Sequence, residues 1–272
     1  MMAITGVLGL AIKLVAVDLD DTLVGRDGVV SEENRLALAR VRERGVEVLV
    51  ATGRPWSKTR RVIAELGLGG PAICLAGALV LDSADGRVLR SASIELPLAL
   101  RIARYAHELG SAVGCQWERG MVFSRDPNPV EQQFDPDHQV DSLMVRRLPE
   151  RPLALSVTGR AVVDAVLRRF GSTPGLQFTT FPSEELGSIL FILGREASKG
   201  HALQWICRQR EIRREEVMAL GDSQNDITML KWAGVSVAMG WAPDDVKAAA
   251  QRSASADDEH AVATALREVL GA

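Results

Sequence analysis

The sequence is poor in cysteine and tyrosine and carries no surplus of positive charge. Its three cysteines, Cys74, Cys115 and Cys207, are odd in number, far apart and in no metal-ligand spacing. That argues against a disulfide scaffold or a cysteine-based metal site and reads as the reduced thiols of a cytoplasmic protein. A formal net charge of -3 gives no electrostatic reason to expect nucleic acid or an anionic membrane as partner. Aromatic residues make up 4% of the chain, with five Trp against one Tyr, a bias to which composition alone assigns no task. The four histidines, His107, His138, His201 and His260, are scattered, supply no metal set and are expected on surfaces or helix faces. The apolar start "MMAITGVLGLAIK" has no basic segment ahead of Lys13 and is shorter than the ~20 residues that span a bilayer. It reads as a short extension leading into the first strand.

What is present is an ordinary soluble composition, 47% hydrophobic and 25% charged, over 272 residues, enough for a sizeable core and for two domains. "LAIKLVAV" and "VEVLVATGR" are short, apolar and rich in Val and Leu, as buried parallel strands are. Between them "SEENRLALARVRERG" predicts a helix opened by Ser31 and closed by Gly45. "WSKTRRVIAELGLG" predicts a second helix, and "PAICLAGALVLD" reads as strand material. Strand, helix, strand, helix, strand implies an α/β, doubly wound parallel sheet. The rhythm breaks near Asp82, where punctuation becomes dense, and strands such as "LALSVTG", "LQFTTF" and "SILFIL" alternate with helices. It resumes at Ser198. The expected organisation is a core of residues 1–81 and 196–272 with an inserted α+β domain over 82–195, although length alone also allows one continuous domain.

In an open α/β sheet, ligands bind outside the carboxyl ends of the strands. Four polar clusters fall at such ends or at helix starts: "DLDD" after the first strand, "TGR" after the second, "SKG" opening the returning helix, and "GDSQND" after the next strand. A parallel sheet would gather Asp18, Asp20, Asp222 and Asp226 into one crevice, which is tolerable only if cations share it or protons stay on. Lys199 is one cation, and a hard divalent metal, Mg²⁺, is the natural second, since it takes oxygen ligands and a substrate phosphate. Asp18 and Asp20 are two apart, so extended backbone places both on one face. One carboxylate can then attack phosphorus, giving an aspartyl phosphate, while the other protonates the leaving alcohol and later activates water. Thr52 and the amide of Gly53 can donate hydrogen bonds to the phosphoryl group. Each cluster alone is weak: "DxD" is commonly a surface turn, "TGR" and "SKG" commonly punctuate strand ends, and "GDSQND" can be a simple helix cap. All four in this order point to phosphoryl transfer.

"DLDDTL", "ATGR", "SKG" and "GDSQNDITML" resemble the four motifs of the haloacid dehalogenase superfamily of phosphohydrolases, in the spacing of its Cof-like sugar-phosphatase branch. The resemblance covers essentially the whole chain and is less specific in the insert, which it implies is a cap domain. It implies a Mg²⁺-dependent phosphatase with Asp18 as nucleophile and Asp20 as general acid/base. Asp18, the Asp20 main-chain carbonyl and Asp222 would hold the metal, with Asp226 supporting its waters. Thr52, Gly53, Lys199 and Asn225 would hold phosphate or position the nucleophile. Asp21 stands where many such enzymes have Gly. Ala76-Gly77-Ala78 stands where the branch often has Asn-Gly-Ala, so an amide near the leaving group is missing. "GREASKG" keeps Lys199 but lacks the usual Val before Ser-Lys.

The expected substrate is a small phosphorylated metabolite such as a sugar phosphate, for an enzyme that is a monomer or homodimer and acts without nucleic acid or membrane. A phosphomutase or phosphotransferase would use the same residues and return the phosphoryl group to sugar. A carbon–halogen hydrolase needs neither metal nor a proton from Asp20, and a signalling receiver would place its Asp after a later strand. A catalytically idle binding protein remains the alternative outside enzymes. Trp117, Phe123, Phe134 and Phe181, in the insert, are expected to pack in a core rather than stack on a ligand. Arg60-Arg61 and Arg168-Arg169 read as solvated helix faces, and Arg54 as either a phosphate contact or one half of an ion pair.

Overall fold

The computed structural model describes residues 12–25, 27–135 and 137–271, and the expected N-terminal extension lies almost wholly outside the described residues. The chain runs through β1 (Leu14–Val17), α1 (Glu32–Glu43), β2 (Glu47–Val50), α2 (Trp56–Glu65), β3 (Pro71–Cys74), β4 (Leu79–Asp82) and β5 (Val88–Ser91). There follow α3 (Leu96–Glu108), β6 (Gly114–Trp117), β7 (Gly120–Phe123), α4 (Pro129–Gln132), β8 (Gln139–Val140), β9 (Ala154–Thr158), α5 (Arg160–Phe170), β10 (Leu176–Ser183) and β11 (Gly187–Gly194). The last stretch is α6 (Lys199–Gln209), β12 (Val217–Gly221), α7 (Ile227–Trp232), β13 (Val235–Ala238), α8 (Asp244–Ala249), β14 (Arg252–Ser253) and α9 (Ala261–Leu270). The chain divides into two compact units, one up to Leu89 together with Ser198 onward, the other Arg90–Ala197.

The first unit is built on a parallel sheet in the order β14-β13-β12-β1-β2. Strands β1, β2 and β12 read LVAV, EVLV and VMALG, buried at every position but Glu47, because helices cover both faces and leave none to alternate with solvent. On one face α6 and α7 bury Ala202, Leu203, Ile206, Met229 and Leu230 against Leu14, Ala16, Leu49, Val217 and Ala219. α1 begins as the sequence predicts, with Ser31 Oγ accepting the Asn34 N–H at 3.2 Å. It is tied to α9 by Asn34 Oδ1, which accepts the Ala263 N–H at 3.0 Å. From β1 the chain steps outward through α1 to β2, and much later returns through α6 to β12 on the other side of β1. Strand order therefore reverses between β1 and β12, the place where an open parallel sheet leaves a crevice at its carboxyl edge.

"PAICLAGALVLD" is not one strand. Leu75, Ala76 and Gly77 take φ of 49°, 51° and 99°, folding the chain back so that β3 and β4 pair antiparallel, with β5 beside β4. Ile73 bridges Ala51 and thereby fixes the end of β2, where Thr52 follows.

The second unit is a sheet in the order β10-β11-β9-β6-β7-β8, antiparallel except between β7 and β8. α3 and α5 bury Ile102, Ala106, Val163 and Phe170 against Leu155, Val157, Leu190 and Ile192. Trp117 and Phe123 are core residues as expected, and Phe134 is half-buried. Phe181 is not: it is 40% exposed on the outer strand β10, its ring 5.9 Å from that of Phe191. Side chains alternate along β10, and Phe181 falls on the face opposite the one where Phe178, Leu190 and Ile192 meet α3 and α5, which is why it stays out of that core.

Candidate active site

β1 ends at Val17 and delivers Asp18 to the carboxyl edge of the sheet, where its amide donates to the Leu220 carbonyl of β12 at 3.0 Å. Lys199 opens α6, whose first turn is capped by Ser198 Oγ accepting the His201 N–H at 3.1 Å. The Lys199 side chain is fully buried, and its Nζ donates to Asp18 Oδ1 and to Asp226 Oδ1, each at 2.6 Å. The other oxygen of Asp226, Oδ2, accepts the N–H groups of Asp222 at 3.0 Å and Ser223 at 2.9 Å, and the Ser223 hydroxyl at 3.1 Å. Asp226 thus locks the turn after β12. Within that turn Asp222 Oδ1 accepts the Thr22 hydroxyl at 3.1 Å. Carboxylate oxygens of Asp18, Asp222 and Asp226 all lie within 4.8 Å of one another. Residues far apart in the chain meet here because β1 and β12 are neighbours.

Lys199 bonds two of the three carboxylates, and the acidities of Asp18 and Asp222 reflect the shortage of positive charge. Burial, and then the negative charge of Asp226, raise Asp18 well above the usual carboxylate range despite the attraction of Lys199. Asp222 is pushed up to about 6, first by burial and then by Asp226. Burial would lower Lys199, but the charges and hydrogen bonds of Asp18 and Asp226 outweigh it and hold the amine protonated beyond its ordinary value. A cluster of hard oxygen donors that lacks positive charge fits a divalent cation such as Mg²⁺. Asp226 already spends both oxygens on hydrogen bonds, so Asp18 and Asp222 are the side chains suited to ligate it. Asp226 instead ties Lys199 to the turn after β12.

The side chain of Asp20 is elsewhere. It is half-exposed and gripped by Arg54, whose Nε lies 3.0 Å from each carboxylate oxygen while Nη2 donates to Oδ1. Of the two readings of Arg54, the structure displays the ion pair. The Asp20 side chain is not among the carboxylates of the cluster. Thr52 is fully buried, and its hydroxyl oxygen accepts the Arg54 N–H at 3.0 Å, leaving its own hydrogen to donate. A Cβ placed on Gly53 would stand 3.5 Å from Asn225 Nδ2, so the second and fourth motifs meet there. The structure therefore gathers Asp18, Lys199, Asp222 and Asp226 in one knot, pairs Asp20 with Arg54, and sets Gly53 beside Asn225.

The family profile described as haloacid dehalogenase-like hydrolase matches residues 15–266 of the chain. The chain belongs to the haloacid dehalogenase-like hydrolases. Phosphatase YwpJ of Bacillus subtilis is 28% identical over 290 residues, covering 95% of this chain and 100% of its own. The 5-amino-6-(5-phospho-D-ribitylamino)uracil phosphatase YcsE of the same organism is 29% identical over 262 residues, covering 94% of this chain and 95% of its own. The solved structure of a haloacid dehalogenase-like hydrolase from B. subtilis superposes with a TM-score of 0.80 at 25% identity, over 94% of this chain and 99% of that one.

Two residues of this haloacid dehalogenase-like site went unassigned in the sequence. Thr22 lies inside the quoted "DLDDTL", so its position was visible although its bond to Asp222 was not. Trp241, whose indole N–H donates to the Asp21 carbonyl at 2.8 Å, carried no signal beyond the bias toward tryptophan.

Proposed function

We infer that this hydrolase cleaves small phosphomonoesters, with Asp18 as nucleophile and Mg²⁺ as cofactor. The observation that carries the reading is the buried knot in which Lys199 pairs with Asp18 and Asp226 while Asp222 brings a third carboxylate within 4.8 Å. Three carboxylates and one ammonium leave an excess of negative charge that a divalent cation would offset, and the cation with Lys199 would then attract a phosphate. Asp18, Asp222 and the Asp20 main-chain carbonyl would hold Mg²⁺, which when bound supplies positive charge for the phosphoryl oxygens and keeps Asp18 ionised.

Lys199 fixes one oxygen of Asp18 and leaves the other to attack phosphorus. As that bond forms, the ester P–O bond breaks, and the Asp20 carboxyl gives its proton to the departing oxygen. Water then attacks the aspartyl phosphate and loses a proton to Asp20, so that Asp18 returns as carboxylate and orthophosphate leaves. The Arg54 guanidinium occupies the Asp20 carboxylate, so in this reading its grip opens before that side chain reaches the leaving oxygen. Thr52, Gly53, Asn225 and Lys199 would hold the phosphoryl group, where positioning does most of the work. The inserted unit takes the place in the chain of a cap domain. The activity for which YcsE is named, on 5-amino-6-(5-phospho-D-ribitylamino)uracil, favours a small phosphorylated metabolite as substrate. The three cysteines, buried and unpaired, suit a reducing, cytoplasmic setting.

The test is orthophosphate release from a panel of sugar phosphates, nucleotides, and flavin and pyridoxal phosphates, with and without Mg²⁺. Turnover should require the metal and fall at least about 10³-fold in a folded Asp18→Asn variant. No release from any ester, or turnover kept by Asp18→Asn, overturns the reading.

A further inference from the structure

The turn that carries Asp20 is held from outside by a residue that touches none of the expected reacting groups. Trp241 lies just after β13, in a turn where the Met239 N–H donates to the Gly221 carbonyl at 2.9 Å and the Ala242 N–H to the Met239 carbonyl at 3.0 Å. That turn cannot drift. A Cβ on Gly240 would stand 2.3 Å from the Ala256 nitrogen, so its backbone is pressed against the neighbouring segment. From this anchored position the indole N–H of Trp241 reaches the exposed Asp21 carbonyl at 2.8 Å, in a bond open to solvent.

Asp21 is the residue most in need of such support. Its φ is 55°, in the left-handed region that an L residue with a Cβ adopts at a cost. Around it the turn satisfies other carbonyls: Thr22 and Val24 donate to Leu19 at 3.3 and 2.7 Å, and Leu23 to Asp18 at 3.3 Å. The Asp21 carbonyl is taken by the indole. On one side of Asp21 stands Asp20. On the other stands Thr22, whose hydroxyl holds Asp222. A slip of this single peptide would move the acid/base carboxyl and a metal-holding carboxylate at once.

We propose that Trp241 is a positioning residue for phosphoryl transfer, its indole N–H fixing the Asp21 carbonyl and with it the turn that aims Asp20 and Thr22. The proposal rests on the phosphatase reading above. Tryptophan suits the task because its indole is a rigid body that can donate but not accept, so it cannot substitute a competing bond for the one required. Because Trp241 acts through the placement of a group used in the transition state, its loss falls on kcat rather than KM.

Two variants separate the donor from the ring. Trp241→Phe keeps an aromatic ring and removes the N–H, while Trp241→Gln removes the ring and keeps an N–H at similar reach. Loss of one such hydrogen bond should lower kcat of Trp241→Phe about fivefold to tenfold with KM within about twofold, and Trp241→Gln should keep most of the native rate. Hydrogen–deuterium exchange of the segment 19–25 should speed up in Trp241→Phe and not in Trp241→Gln. Native kcat in Trp241→Phe, equal damage in both variants, or a raised KM with kcat kept each overturns the proposal. If the native enzyme releases phosphate from no ester, the phosphatase reading fails on that assay, while the exchange measurement still decides whether the indole bond holds the turn.

Discussion

Replacing Lys199 by methionine tests whether the knot is a buried charge network. The native ammonium bonds two carboxylates, each at 2.6 Å, with all three groups almost without solvent. Methionine fills a similar volume and leaves Asp18 and Asp226 facing each other and Asp222 unneutralised. Removing one partner of a buried ion pair costs about 3–5 kcal/mol, because the remaining charge stays desolvated. That cost depends on pH in a definite direction. A carboxylate whose folded-state pKa is raised binds more protons folded than unfolded, so stability falls as pH rises between the two values. Asp18 is already raised and Asp222 is pushed up to about 6 in the native protein, and loss of the ammonium moves these carboxylates further the same way. Urea unfolding with metal chelated should therefore show Lys199→Met losing about 3–5 kcal/mol at pH 8 and roughly half that at pH 5. The amine's own titration does not intrude, since its raised pKa keeps it charged well above pH 8. A loss that is equal at the two pH values, or below about 1 kcal/mol at pH 8, would refute the reasoning.

Gly77→Ala should damage the site without touching a charge. At φ 99° the new Cβ would stand 2.2 Å from the Ser198 carbonyl carbon and oxygen and 2.7 Å from the Lys199 nitrogen, so the start of α6 must shift. The expected result is a stability loss above about 2 kcal/mol in thermal or urea unfolding, with a fall in phosphate release. Normal stability and turnover would show that the helix start can give way freely. Glu216→Gln should act on the acid limb of stability. The Glu216 carboxylate is held down to about 2 by the Arg213 amide and guanidinium and by Lys13. A depressed carboxylate contributes stability that is full above about pH 4.5 and drains away as pH falls toward 2, so the variant's unfolding midpoint should change less across that window than the native one. Parallel pH profiles for the two proteins would count against these contacts.

What could be read from the sequence was whatever a parallel sheet imposes on neighbouring residues. β1, β12 and all of β2 after Glu47 are apolar because they are covered on both sides, and the polar residues that follow them mark the sheet's carboxyl edge. Where local patterning is thin, legibility ends. β6 and β7 are four residues each, joined through Glu118-Arg119, too short to display a period, and only β9, β10 and β11 stood out in that unit. Leu75 and Ala76 carry positive φ that neither residue type advertises, and this hid the fold-back between β3 and β4. At Asp82 the rhythm breaks where β4 ends, but the compact unit continues into β5 up to Leu89.

The site divides along the same line. Motif spacing names residues along the chain, whereas contact depends on the order of strands across the sheet. Asp18 and Lys199 are 181 positions apart and could be paired in advance because each carried its own motif. Asp21 and Trp241 are 220 apart, and only one of them lies in a motif. Their bond exists because β13 stands one strand beyond β12 from β1, so that the turn after it can reach the β1 turn. A sequence reader who knew the sheet order would have looked for a long donor at the end of β13. Without it, the tryptophan bias remained a number. The motif residues that the phosphatase reading uses were therefore readable one at a time, while the bond between Trp241 and the Asp21 carbonyl became visible only when the strands were set side by side.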